Sequence, residues 1–310
     1  MLRVLFFGMT GHFSIPPLEQ LLDLEVDLIG VIVPATQSPS TFYPQLVARP
    51  QPLTTDLPLV DPYLEPNIIH RAWDNNISVW EVDSLTTPET LDFLTTLTPD
   101  LIVVACFSRI FPSKLLQLPR YGCLNLHPSL LPRYRGPAPL FWIARRDERS
   151  TGVTLHHMAE DLDSGDIVAQ TAFERPEGIS EAELEQHCAI EGSNLLREAI
   201  GQLKQGQPLP HRPQIEDVAL HYPWPSAADC QVPTNWSAQQ AFNFGRGAET
   251  WPLFISVGDS DFYLRRVLSY SHDHILEKPY TLIGDELWVQ FQPGVLRAKV
   301  RYQTNSPAKS

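Results

Sequence analysis

Positive charge is scarce in this 310-residue sequence: 23 Lys and Arg stand against 36 Asp and Glu, a net charge of -13. Proteins that grip nucleic acid normally present a basic face, and none is evident here. The deficit is concentrated in the first 205 residues, which hold 14 Lys/Arg against 26 Asp/Glu, whereas residues 206–310 hold nine against ten. Cysteine is scarce too. Cys106, Cys123, Cys188 and Cys230 form no C-x-x-C pair and no framework spacing, so they read as reduced and mostly buried, with no disulfide scaffold and no metal site. No uninterrupted apolar run approaches ~20 residues, which excludes a membrane-spanning helix. The Met1-Leu2-Arg3-Val4 start leads directly into a strand and not into a signal peptide, so the expected location is the cytoplasm. A G-x-G-x-x-G turn is also missing: Gly8-Met9-Thr10-Gly11 follows the first strand, and a dinucleotide site is a weak reading.

What is present suits two domains, with 43% hydrophobic residues to build a core in each. The apolar strand Arg3–Gly8 and an amphipathic helix near Ile15–Leu22 form the first βα unit of a doubly wound sheet, and Leu28–Val33 is a second strand of parallel type. Residues 34–66 break the rhythm with eight prolines and no periodic apolar face; Arg49 is their only cation, beside Asp56, Asp61 and Glu65. A helix over Ile68–Asn75, a strand over Ser78–Val82, a helix over Thr87–Thr96 and the strongly apolar strand Asp100–Cys106 follow. Ser180, with Glu183 three residues on, makes a capping box for one long helix to Lys204, whose stripe is Leu184, Cys188, Leu195, Leu196, Ala199 and Leu203.

The stretch from Gly122 to Gln170 carries the chemistry. The strand Cys123-Leu124-Asn125-Leu126-His127 puts Asn125 and His127 at i, i+2, hence on one face. Pro128 and Pro132 bound a loop of Ser129, Leu130 and Leu131, and the chain turns helical near Ala138–Ala144. A strand over Thr154–Met158 then ends in the acidic loop Glu160-Asp161-Leu162-Asp163-Ser164-Gly165-Asp166, at a strand end where α/β folds keep their chemistry. The run N-L-H-P-S-L-L-P-R-Y-R-G-x-A-P, then T-G-V-T, then L-D-S-G-D, closely resembles the signature of the 10-formyltetrahydrofolate-dependent formyltransferase family, and most of all its methionyl-tRNA members.

That resemblance implies an α/β fold: a Rossmann-like, mostly parallel sheet followed by a small C-terminal open β-barrel of OB type. It implies Asn125, His127 and Asp163 as the catalytic trio, and Ser129, Leu130, Leu131 and Pro132 as the segment that touches the folate. Phe107 and Ile110, in the loop after Cys106, would line the pterin pocket. Formyl transfer passes through a tetrahedral intermediate, so an amide donor or an imidazolium aimed at its oxygen lowers the barrier by ~3 kcal/mol. An imidazole beside a carboxylate can move protons between the entering amine and the leaving N10. No metal and no covalent nucleophile are required.

The Pro- and polar-rich segment 206–233 reads as a linker between a catalytic domain, 1–205, and a second domain, 234–310. In the latter a short helix runs from Asn235-Trp236-Ser237 through Phe244, before strands at Phe254–Val257, Asp261–Tyr270, Tyr280–Gly284, Leu287–Phe291 and Val295–Tyr302, enough for a small barrel. The expected donor is 10-formyltetrahydrofolate and the expected acceptor an amine, methionyl-tRNA foremost by architecture. The acidic balance keeps open an amino-sugar nucleotide as acceptor, and behind it a formyltetrahydrofolate hydrolase or a non-catalytic folate binder. Oligomeric state is not legible.

Overall fold

The computed structural model describes residues 1–35, 44–48 and 67–301. Most of the 34–66 insertion, Arg49 included, lies outside the described residues, as does Tyr302.

Apolar runs set the order of elements. β1 (Arg3–Gly8), α1 (Ile15–Asp23), β2 (Asp27–Pro34), a two-residue β3 (Gln45–Leu46), α2 (Ile68–Asp74), β4 (Val79–Val82), α3 (Pro88–Thr96), β5 (Leu101–Ala105) and α4 (Ser113–Leu116) lead to β6 (Cys123–His127). Then come α5 (Pro139–Arg145), β7 (Ser150–His157), β8 (Ile167–Glu174) and α6 (Glu181–Lys204). These strands form one eight-stranded sheet in the order β3-β4-β2-β1-β5-β6-β7-β8. β4, β2, β1, β5 and β6 run parallel, while β3 on β4 and β7 on β6 are antiparallel. Every residue of β5 is buried, as a parallel strand covered on both faces requires.

Alternation decides which side each residue serves. Leu5 and Phe7, Ile102 and Val104 point into one core with Leu94 of α3 and Leu115 of α4. Gly30 in β2 is imposed by packing, because a Cβ there would collide with the Trp80 indole. The capping box of α6 forms as expected: Ser180 N donates to Glu183 Oε2 at 2.8 Å and Glu183 N to Ser180 Oγ at 3.2 Å. All six stripe residues of that helix are buried. A Cβ at Gly192 would lie 3.1 Å from Leu126 and 3.2 Å from Val153, so α6 passes close over β6 and β7 on their Leu126 and Val153 side. The other side of those strands is left for Asn125, His127, Thr154 and His156.

The chain divides into two compact units, one of residues 1–135, 152–171 and 186–219, the other of 136–151, 172–185 and 220 onward. The second unit holds α7 (Ala238–Gly247), β9 (Phe254–Val257), β10 (Ser260–Ser271), β11 (Tyr280–Ile283), β12 (Glu286–Gln290) and β13 (Val295–Arg301). The five strands form an open antiparallel sheet, β11-β12-β13-β10-β9, with two register shifts in β10 where it pairs with β13. Irregularities of this kind bend a strand and raise its twist, which suits the open barrel expected. α7 runs beyond Phe244 to Gly247. Gly247 lies against Ala144, where a Cβ would approach to 2.8 Å, so this glycine is selected by packing before it is a stop signal.

Candidate functional site

β6 and β7 pair antiparallel with Asn125 opposite His156 and His127 opposite Thr154, which brings four polar side chains onto one face. His127 is 4% exposed and Asp163 8%. His127 donates from Nε2 to the Tyr134 carbonyl at 2.8 Å, so Nδ1 is the ring atom left to gain or lose a proton. That Nδ1 lies 3.6 Å from Asp163 Oδ2.

Asp163 owes its place to a tight loop. Its φ of 55° is left-handed, as is the 61° of Tyr134, a conformation that costs a non-glycine residue roughly 1 to 2 kcal/mol. Ser164 caps the turn, donating from Oγ to Asp161 O at 2.8 Å. Gly165 must be glycine, because a Cβ would sit on the His157 carbonyl oxygen.

His156 is the member of the cluster that the sequence reading did not single out. It is 1% exposed, and its Nε2 lies 3.1 Å from Asn125 Nδ2 and 3.8 Å from Asp163 Oδ1. Its Nδ1 lies 2.8 Å from the His157 carbonyl, which assigns the proton to Nδ1. Nε2 is then an acceptor, and the Asn125 amide must turn its NH2 toward it, leaving the second N–H of that group for another partner. Burial pushes the His156 imidazole down to about 4, with the Asp163 carboxylate pulling upward against it. His156 is therefore neutral near pH 7, and its closeness to Asp163 is not an ion pair. The signal that could have found it is the period of two: Thr154 and His156 share a face that meets Asn125 and His127 once β7 pairs with β6.

The loop after His127 is fastened by one hydroxyl. Thr154 Oγ1 donates to Ser129 O at 2.6 Å and accepts from Leu131 N at 3.1 Å and Gln170 Nε2 at 2.9 Å. Ser129 and Leu131 are buried, while Leu130 and Pro132 are half-buried. Phe107 is half-buried, its ring edge-on to Phe7 at 5.1 Å and to Phe111 at 6.0 Å. Ile110 is 79% exposed. Burial pushes the Cys123 thiol of β6 up to about 12, which leaves it inert as a nucleophile. Among the described residues no group of three or more His, Cys, Asp or Glu is arranged to hold a metal ion, and no helix is long and apolar enough to cross a membrane.

Residues 3–200 match the model of the family described as formyl transferase. A methionyl-tRNA formyltransferase of Acidobacterium capsulatum is 34% identical over 314 residues, covering 97% of this chain and 94% of that protein. Among solved structures, an N-formyltransferase from Helicobacter canadensis, in complex with folinic acid and dTDP-3-aminofucose, superposes with a TM-score of 0.64 at 15% identity, covering 97% of this chain and all of that one. Methionyl-tRNA formyltransferase from Clostridium thermocellum gives 0.55 at 12% identity, covering 99% of this chain and all of its own.

Proposed function

The chain belongs to the formyl transferase family and is a formyltransferase, and from that premise we propose that it carries the formyl group of 10-formyltetrahydrofolate to the amino group of methionyl-tRNA. The relative from Acidobacterium capsulatum supports this acceptor, since the likeness extends over both domains of the expected architecture. We assign catalysis to Asn125, His127 and Asp163, all within residues 1–205. One observation carries the assignment: His127 Nδ1 is the ring nitrogen that Tyr134 does not engage, and it stands 3.6 Å from the Asp163 carboxylate.

In this reading the acceptor nitrogen attacks the formyl carbon and the bond from that carbon to N10 breaks. The amine gives up a proton and N10 gains one. His127 holds that proton at Nδ1 between the two events, and Asp163 keeps the imidazolium in place meanwhile. The free N–H of Asn125 donates to the carbonyl oxygen as it becomes negative. Ser129, Leu130, Leu131 and Pro132, with Phe107 and Ile110, would hold the folate. The second acceptor in play is the amine of a nucleotide sugar, a far smaller anion than tRNA and so less opposed by the surplus of acidic side chains in the first 205 residues.

Incubating the purified protein with 10-formyltetrahydrofolate and, in separate arms, methionyl-tRNA or amino-sugar nucleotides tests both. Formylmethionyl-tRNA is the expected product. Formylation of an amino sugar alone would replace the tRNA reading, and transfer in no arm would remove both.

A further inference from the structure

The segment after α6 comes back to the site. His211 stacks on His157, rings 4.0 Å apart and 6° from parallel, with Nδ1 3.3 Å from Asp166. Arg212 exchanges backbone hydrogen bonds with Ile167 at 2.8 and 3.2 Å. Residues 211–218 of this strap are all exposed except half-buried Gln214.

Gln214 spends its whole hydrogen-bonding capacity there. Its Nε2 donates to Asp163 O at 2.8 Å and to Gly165 O at 2.7 Å, and its Oε1 accepts from Arg135 Nε at 3.0 Å and Nη2 at 2.8 Å. Two donors and two lone pairs are all used. The Arg135 side chain is 2% exposed and takes its charge partner, Glu216, from the same strap at 2.7 Å. Arg135 also directly follows Tyr134, whose carbonyl orients His127. A single side chain thus ties the loop that presents Asp163 to the turn that fixes His127, and both Asp163 and Tyr134 have left-handed backbones that hold only where neighbours over-determine them.

We infer that Gln214 is a positioning residue for formyl transfer, one that with Arg135 sets the spacing of Asp163 and His127 without touching either substrate. The inference rests on the catalytic reading given above, and its test separates the two. Gln214→Glu keeps the acceptor for Arg135 and replaces both donors by lone pairs facing two carbonyl oxygens. Gln214→Met removes the hydrogen bonds at similar volume without adding charge. Both should fold, as judged by thermal unfolding, and both should lose kcat on the order of 10²-fold, the scale of a displacement of about 1 Å at a catalytic group. KM for 10-formyltetrahydrofolate should stay within about twofold, since the loss falls on the transition state.

The decisive arm is single-turnover kinetics in an Asp163→Asn background. There Gln214→Glu should cost under about threefold, because the carboxylate it positions is gone. The full loss recurring in that background would make Gln214 a general support of the fold and overturn the inference, as would a wild-type kcat for either single variant. If Asp163→Asn itself turns over like wild type, the catalytic reading falls and the positioning role with it.

Discussion

The side chains that line the face of β6 and β7 toward the site are Asn125, His127, Thr154 and His156, whereas the buried residues of β12 and β13 are Leu287, Val289, Val295, Leu296, Ala298 and Val300. The first set is polar and buried except for half-buried Asn125, and it is held by hydrogen bonds within the set, to backbone groups and to Gln170, with the Asp163 carboxylate beside both histidines. The second is apolar and alternates with half-exposed Glu286, Trp288, Arg297 and Lys299, the pattern of an antiparallel sheet with one wet face. A buried polar group contributes only about 1 kcal/mol net for each hydrogen bond it makes and costs more than that when one is lost, while burying an aliphatic side chain is a net gain of about 1.5 to 3 kcal/mol. Strands of similar length therefore serve opposite ends: one interior fixes reactive groups in place, and the other supplies stability.

The sharpest way to break that contrast is to remove a polar group. Asn125→Ala or Asp163→Ala should lower kcat on the order of 10³-fold and leave folate binding within about threefold, read by single-turnover assays and calorimetry. Turnover at the wild-type rate in either would sink the assignment. Leu287→Ala should do the reverse, costing about 3 kcal/mol in denaturant unfolding while the folded fraction keeps its kcat.

Acid probes the same contrast. Since burial holds native His156 near 4, below the ordinary 6.5 of the unfolded chain, the unfolded state takes up its proton first as pH falls. The stability due to neutral His156 is complete above pH 6.5 and drains away toward pH 4, by about 2 to 3 kcal/mol. A His156→Gln variant should lose that part of the slope, and an unchanged slope would show that other groups set it. The smallest effect concerns the surface: if tRNA is the acceptor and two phosphates are held, its affinity should fall about tenfold between 50 and 200 mM salt. A flat response points to a small amine.

The sequence made the major elements legible where periodicity was long, as in α6 and β5. It was silent on α4, a single turn from Ser113 to Leu116 that is too short to show a period, and on β3, whose two exposed residues gain their place only by pairing with the edge of β4. β8 opens at Ile167, where backbone pairing with Arg212, a residue far along the chain, brings its start next to the acidic loop. Asn125, His127 and Asp163 could be read because their spacing lies within one contiguous stretch. His156 and Gln214 could not. One needs the knowledge that β7 lies antiparallel to β6, and the other comes from a polar segment whose composition reads as a connector.

The Thr154 oxygen gives one hydrogen bond and receives two, so the loop from Ser129 to Leu131, the strand bearing His156 and the side chain of Gln170 all meet at it. Valine has the same outline as threonine and could slip into the same space without a clash. It would nonetheless unpin three separate pieces of chain at once, so at this position drift is policed by the identity of an atom and hardly at all by shape.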